Sequence, residues 1–138
     1  MDGQGRAVHM SLADYDGIVR TIHLYIDGFS EHDASKIREA FHKDAWIFCF
    51  EKDGKFYNRL LGDEIFEEWA NERGDPIQPR IISVNQMGDV ANVLLGFGDE
   101  WVDFHNLARI DGVWKITNKT ATHSSRVSSS WAKPKLAH

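Results

Sequence analysis

The residues best placed for acid–base chemistry lie on either side of Asp111-Gly112. An Asp-Gly pair between runs of β-branched and aromatic residues is a strong signal for a two-residue β-hairpin loop. With these two residues as the loop, three cross-strand pairs follow: Asp103 with Thr120, His105 with Asn118, and Leu107 with Ile116. Because side chains alternate along a strand, all six residues are predicted to share one face of the sheet. This face is apolar near the loop and polar at its far end, as expected of a ligand pocket.

Asp103 and His105 are the predicted catalytic residues. An imidazole with a pKa of about 6.5 can pass protons at neutral pH, and a carboxylate two residues away can raise its basicity or fix its tautomer. Asp103 alone, if desolvated, is another candidate for the general base. Asn118 and Thr120 would orient a substrate or donate to a developing oxyanion. The alternative, a satisfied polar cluster without chemistry, stays open at the level of sequence.

A metal site is a weaker alternative. His42, His105 and Asp103 contain the residue types of a two-His-one-carboxylate site. They lack any tight ligand spacing such as H-x-H or H-E-x-x-H, and the chain has no glycine-rich phosphate loop and no nucleophile elbow. We therefore predict neither a metal nor a cofactor.

Helices are predicted early in the chain and strands late. Ser11 and Asp14 have the spacing of a capping box, and apolar residues then recur at steps of three and four through Phe29. Shorter helices are predicted over 34–41 and 63–73. The predicted strands cover 46–51, 56–60, 80–87, 90–97, 101–110 and 113–122. Helices followed by a run of antiparallel strands indicate an α+β domain.

Two stretches carry a family resemblance. They are Ala40-Phe41-His42-Lys43-Asp44-Ala45 and the segment from Trp101 to Ile116. With the order of elements, they resemble the "putative lumazine-binding" or SnoaL-like branch of the nuclear-transport-factor-2-like (NTF2-like) superfamily, over about residues 14–122. The resemblance implies a cone-shaped fold, with a curved sheet wrapped around the first helix and a pocket at the open end. It also implies a homodimer formed through the sheet, and it marks His105 as a departure, since an aliphatic residue is usual there.

The pocket implied by the resemblance needs side chains that line it and contact a substrate. Aromatic residues of the helices and early strands are the predicted substrate-binding wall, and His42 is included although a turn or capping role is common at its position. The predicted set, besides Asn118 and Thr120, is Tyr25, Phe29, His42, Trp46, Phe48, Tyr57 and Trp69.

Length and charge restrict the remaining possibilities. The 138 residues suit one domain, predicted over 11–123 with tails at 1–10 and 124–138. The formal charge of −5 argues against nucleic acid as a partner.

No apolar run approaches the roughly 18 residues that span a bilayer, and no signal peptide is evident, which predicts no membrane partner and a cytoplasmic location. A single cysteine, Cys49, excludes an internal disulfide and is predicted to be a buried thiol.

These observations predict a cofactor-independent enzyme of the isomerase, dehydratase or cyclase type, in which Asp103 and His105 transfer protons on a small hydrophobic or aromatic molecule. The alternative is a non-catalytic protein that binds such a molecule in the same pocket. Fold alone does not decide between them.

Overall fold

The computed structural model describes residues 10–72 and 74–127. Within these ranges the helices are α1 (Leu12–Ser30), α2 (Ala34–Ala40) and α3 (Asp63–Ala70). The strands are β1 (Phe41–Phe50), β2 (Phe56–Leu60), β3 (Pro79–Met87), β4 (Val90–Phe97), β5 (Trp101–Ile110) and β6 (Val113–His123). The predicted α+β class is confirmed, although β1 begins five residues earlier than expected and α3 ends three residues earlier.

The six strands form one mixed sheet in the order β2-β1-β6-β5-β4-β3. Only β1 and β6 run parallel; every other neighbouring pair is antiparallel. The parallel pair places the first strand beside the last one, so residues far apart in sequence meet at the middle of the sheet. β6 and β5 are both central strands, and they carry the predicted site.

The long helix α1 begins at the predicted cap, Ser11, but only half of the predicted capping box forms, since the Asp14 carboxylate accepts from Gln86 and Arg109. Ser11 caps it by accepting a hydrogen bond from the backbone N–H of Asp14 at 3.0 Å. Its buried stripe packs on the inner face of the sheet, and Thr21 donates a hydrogen bond to the backbone carbonyl of Trp114 at 2.8 Å. One turn further along the same stripe, Tyr25 therefore faces the neighbouring strands β5 and β6. This places a phenol next to the predicted site.

A glycine allows α2 to pack closely on α1. A Cβ at Gly28 would lie 2.3 Å from Cγ1 of Ile37 and 2.9 Å from its backbone nitrogen. Any larger residue would force the two helices apart. β1 follows α2 directly, since α2 ends at Ala40 and β1 begins at Phe41.

The β5–β6 hairpin corrects the predicted register. Asp111 and Gly112 have φ angles of 51° and 80°, as a type I′ turn requires, and Leu107 pairs with Ile116 as predicted. Beyond that pair, Thr117 is an extra residue in β6 and shifts the register by one. Its hydroxyl donates to the backbone carbonyl of Asn106 at 3.1 Å.

Because of this bulge, the partners of the two predicted catalytic residues change. Asp103 pairs with Ala121 and His105 pairs with Lys119. The prediction that Asn118 and Thr120 share the face of Asp103 was wrong, since a one-residue slip moves every following side chain to the opposite face.

The predicted tails are described only in part. Ser124–Arg126 form a short 3-10 helix, and the Ser124 hydroxyl donates to the carbonyl of Asp99 at 2.7 Å. Residues 1–9 and 128–138 lie outside the described residues. Within the part of the chain that is described, no helix is long and apolar enough to cross a membrane.

Candidate active site

The inner face of the sheet, α1 and the end of α3 surround a cavity of about 140 Å³. This is close to the size of the cavities of about 150 Å³ that accept benzene, so a molecule with one ring fits. Its walls come from α1, α3, and strands β1, β2, β4, β5 and β6. The lining residues used below are Tyr25, Phe29, Tyr57, Trp69, Asp103 and Lys119.

The structure brings five of the predicted site residues together at this cavity: Tyr25, Phe29, Tyr57, Trp69 and Asp103. His105 is fully buried and touches the site through Asp103, with 3.3 Å between its Nε2 and Oδ2 of the carboxylate. It does not line the cavity itself. Of the two predicted catalytic residues, Asp103 therefore lines the cavity and His105 contacts Asp103 without lining it.

Four predicted residues lie elsewhere because they occupy the other face of the sheet. On β1 the buried, inward positions are Ala45, Ile47 and Cys49, so Trp46 and Phe48 point outward. Together with Asn118 they border a shallow depression on the outer face, and Thr120, on the same side of β6, is exposed. The wall predicted from these aromatic residues was therefore assigned to the wrong face.

His42 has a local role at the start of β1. Its Nδ1 accepts a hydrogen bond from the backbone N–H of Asp44 at 3.1 Å, as in the turn role weighed for it. It does not line the cavity. Among the described residues no group of three His, Cys, Asp or Glu side chains could hold a metal ion, so His42, His105 and Asp103 do not assemble into one.

Lys119 is the functional candidate that sequence reasoning missed. The bulge at Thr117 turns it inward, and only 7% of its side chain is exposed. One signal was present in the sequence. The apolar positions of β6 change from even (Trp114, Ile116) to odd (Ala121), and such a change within one strand requires an extra residue between them.

A chain of hydrogen bonds joins the polar groups of the site. Nζ of Lys119 donates to the Tyr25 hydroxyl at 2.8 Å. That hydroxyl donates to Oδ2 of Asp103 at 3.1 Å. Nζ lies 3.9 Å from the same carboxylate oxygen. A cation, a phenol and a carboxylate are thus connected inside one buried cluster, which we call the Asp103 cluster and which also includes His105.

Electrostatic coupling keeps the carboxylate of the Asp103 cluster ionised. Burial raises the pKa of Asp103, but the charge of Lys119 and the hydrogen bonds from His105 and Tyr25 outweigh it, so the pKa lies below its usual value of 3.8. Burial lowers the pKa of Lys119 below 10.5, against the opposing attraction of Asp103. The lysine therefore loses its proton more readily than a surface lysine.

The other two members of the Asp103 cluster are neutral hydrogen-bond donors. Burial lowers the pKa of His105 despite the neighbouring carboxylate, which favours the neutral imidazole with its proton on Nε2, facing Asp103. Burial and the same carboxylate raise the pKa of Tyr25 well above 10, so Tyr25 stays a phenol. Two buried atoms of the cluster, Oδ1 of Asp103 and Nδ1 of His105, have no hydrogen-bond partner among the described residues.

Aromatic rings form the wall opposite the carboxylate. Phe29 and Trp69 stack with their centroids 5.4 Å apart, and Nζ of Lys119 lies 4.5 Å from the centroid of Trp69 and 5.1 Å from that of Tyr25. The predicted buried thiol, Cys49, is confirmed as buried, and burial raises its pKa. The raised pKa favours the protonated thiol at neutral pH.

Carboxylates surround the entrance. The cavity shares Glu51, Tyr57, Trp69 and Glu72 with a larger depression of about 550 Å³, which is also bordered by the exposed Arg59 and Glu68. A ligand can therefore place one ring in the cavity while a polar part extends toward this entrance.

Comparisons with known proteins agree with the resemblance. The profile of the family described as "Putative lumazine-binding" matches residues 13–121. NTF2-like proteins of solved structure from Shewanella baltica and Methylobacillus flagellatus are similar, with TM-scores of 0.71 and 0.70 and identities of 23% and 28%. They cover 84% and 86% of this chain and 98% of their own. "Aldolase FrzH" from Cladobotryum is 21% identical over 82% of this chain and 94% of its own.

The charge coupling in the Asp103 cluster can be measured by a double-mutant cycle. Asp103→Asn and Lys119→Met should each lower the free energy of unfolding by about 3 kcal/mol, because each leaves the other buried group without its partner. The double variant should lose at least about 1 kcal/mol less than the sum. Urea unfolding provides the three values.

The exposed pair Arg38–Asp63, at 2.7 Å, is the matched control. Its cycle, with Arg38→Met and Asp63→Asn, should give a coupling within about 0.5 kcal/mol of zero. Additive effects at Asp103 and Lys119 would mean that the two side chains do not interact as described.

Proposed function

The chain belongs to the "Putative lumazine-binding" family of NTF2-like domains, and we propose that it is a cofactor-independent enzyme that transfers protons on a small hydrophobic or aromatic molecule. The observation that carries the proposal is the position of Asp103. It is an ionised, almost fully buried carboxylate that lines a cavity and has one oxygen without a hydrogen-bond partner. A carboxylate that is ionised and lines a cavity can accept a proton from a bound molecule.

The substrate class follows from what surrounds that base. A proton bound to carbon becomes acidic enough for a carboxylate only when it is adjacent to a carbonyl or a similar group that takes up the charge. Lys119 uses one N–H for the Tyr25 hydroxyl 2.8 Å away, and its further N–H donors would stabilise the resulting oxyanion. Isomerisation, dehydration and aldol-type cyclisation all begin with this step.

The Cladobotryum relative supports this reaction class. Its name identifies it as an aldolase, and an aldol reaction begins when a proton is removed from carbon beside a carbonyl. Since the two chains are only 21% identical, the proposal takes no substrate from this relative. What an aldol reaction shares with the reaction proposed here is the first proton transfer, in which Asp103 would be the base.

His105 acts in this proposal as a positioning residue. Its Nε2–H donates to Oδ2 of Asp103, which orients the carboxylate and leaves Oδ1 as the oxygen that has no partner among the described residues. Since the imidazole is buried and neutral, it holds the base without competing for the proton. The sequence-based role of His105 as an acid–base residue in contact with substrate is not retained.

A second candidate function is binding without turnover. The stacked Phe29–Trp69 pair and the size of the cavity suit a flat aromatic molecule, and the description of the family is a binding role. In this case the Asp103 cluster would anchor a polar edge of the ligand. The two functions differ in whether a bond to hydrogen is broken.

Deuterium exchange separates the two functions. Phenylacetone has one ring and acidic C–H bonds beside its carbonyl, and NMR in D₂O reports their exchange directly. We expect the protein to accelerate this exchange and Asp103→Asn to reduce the acceleration by at least about 100-fold, the usual contribution of a general base.

Thr120→Val is the control, since Thr120 is exposed on the outer face, and it should leave the exchange rate unchanged. Circular dichroism would confirm that Asp103→Asn is folded. A folded Asp103→Asn variant with the exchange rate of the unaltered protein would refute the enzyme proposal. Saturable binding of phenylacetone without any exchange would favour the binding function.

We also propose that two copies of the chain associate through the outer face of the sheet. Trp46, Phe104 and Val90 expose 42%, 48% and 57% of their surface there, and exposed apolar side chains on one face are typical of a protein–protein interface when they form a patch. Phe104→Glu should convert a dimer into a monomer in analytical ultracentrifugation. A monomeric unaltered protein would exclude this interface.

A further inference from the structure

Lys119 combines three properties, and the third of them is not needed for its role as an oxyanion donor. It is buried, it lines the cavity, and its amine is poorly supplied with acceptors. An ammonium group has three N–H donors, yet among the described contacts only the Tyr25 hydroxyl accepts from Nζ, at 2.8 Å. An N–H bond without an acceptor is costly away from water, so these surroundings favour the loss of a proton from Nζ more than water does.

The structure also provides a route by which the ammonium can lose its proton. Nζ of Lys119, the Tyr25 hydroxyl and Oδ2 of Asp103 follow one another at 2.8 Å and 3.1 Å. When Nζ gives a proton to the Tyr25 oxygen, the phenol proton can pass to Asp103. The result is a free amine beside a carboxylic acid, with Tyr25 unchanged.

We propose that Lys119 is an amine nucleophile that condenses with aldehydes or ketones of one-ring size to form a Schiff base inside the cavity. This rests on the proposed function in using the same cavity and the same carboxylate. It adds a substrate class, carbonyl compounds, and a covalent step. A buried lysine with a free amine is the form in which enzymes use this nucleophile.

The condensation balances with groups present in the site. The Nζ lone pair forms the C–N bond, and the carbonyl oxygen takes up the two protons that Nζ gives up and leaves as water. Asp103, protonated through Tyr25, gives its proton to the carbonyl oxygen, takes a second proton from the nitrogen and passes it to the same oxygen. Water then leaves, the nitrogen keeps one hydrogen as an iminium, and Asp103 is a carboxylate again. In a substrate with a hydrogen on the adjacent carbon, Asp103 can then remove that hydrogen, and the C–H electron pair moves toward the iminium nitrogen.

Trapping with benzaldehyde tests this step separately from proton transfer. Benzaldehyde has one ring and no hydrogen on the carbon beside its carbonyl, so it can form a Schiff base but cannot undergo the exchange reaction. Sodium cyanoborohydride supplies the hydride that reduces the iminium to a stable secondary amine. Peptide mass spectrometry then identifies each lysine that has gained a benzyl group.

We expect Lys119 to be benzylated at least about tenfold faster than Lys43, whose side chain is 83% exposed. Lys119→Arg should remove this fast phase, and Lys43→Arg, the matched control, should leave it intact. The measurement on the unaltered protein needs no variant, so a poorly folded Lys119→Arg does not affect it. Benzylation of Lys43 with Lys119 slower or unmodified would overturn the inference.

The two proposals fail independently. If Lys119 is not trapped while phenylacetone exchange still depends on Asp103, the amine step is wrong and the proton-transfer function stands. If Lys119 is trapped selectively but no exchange occurs, the amine step is right and the proton-transfer function is wrong.

Discussion

The attraction between the buried Asp103 carboxylate and Lys119 is the interaction on which the candidate site depends. Taking either charge out of water alone is costly. The cost is reduced here because the two lie 3.9 Å apart and the Tyr25 hydroxyl bonds to both. Helix α1 must hold Tyr25 over the sheet for this to work, and the Thr21–Trp114 hydrogen bond one turn earlier fixes the helix there. The position of the longest helix and the chemistry of the cavity are therefore linked.

The buried pair of Asp103 and Lys119 is surrounded by aromatic rings, and the two features affect each other. A cation–carboxylate pair in a small, partly dry space exerts stronger forces than it would in water. Trp69 and Tyr25 present their faces to Nζ, which stabilises the cation while excluding water from it. The Asp103 cluster can therefore exist in two forms, ammonium with carboxylate or amine with carboxylic acid, which differ by the transfer of protons through Tyr25. Acid–base and amine chemistry are both available to such a cluster.

Sequence reasoning predicted the elements well because they follow from local rules. Strands β2, β4 and β5 have the predicted bounds, and the Ser11 cap and the Asp111-Gly112 turn form as expected. The site was only half predictable. Asp103 and His105 were found by alternation along one strand, but Asn118 and Thr120 were placed by assuming an unbroken ladder across the hairpin. Because Thr117 is an extra residue in β6, Lys119 occupies the inner face of the sheet in place of Asn118 and Thr120. A bulge in a central strand is decided by tertiary packing rather than by turn chemistry.

The pH titration of the Asp103 carboxyl carbon, followed by ¹³C NMR in the unaltered protein and in Lys119→Met, tests the central claim most directly. A buried carboxyl without a cation beside it titrates above its usual pKa. The coupling described here predicts a pKa below 3.8 in the unaltered protein and a clear upward shift in Lys119→Met. An Asp103 that titrates above 3.8 in the unaltered protein, or whose pKa does not respond to the loss of Lys119, would contradict it.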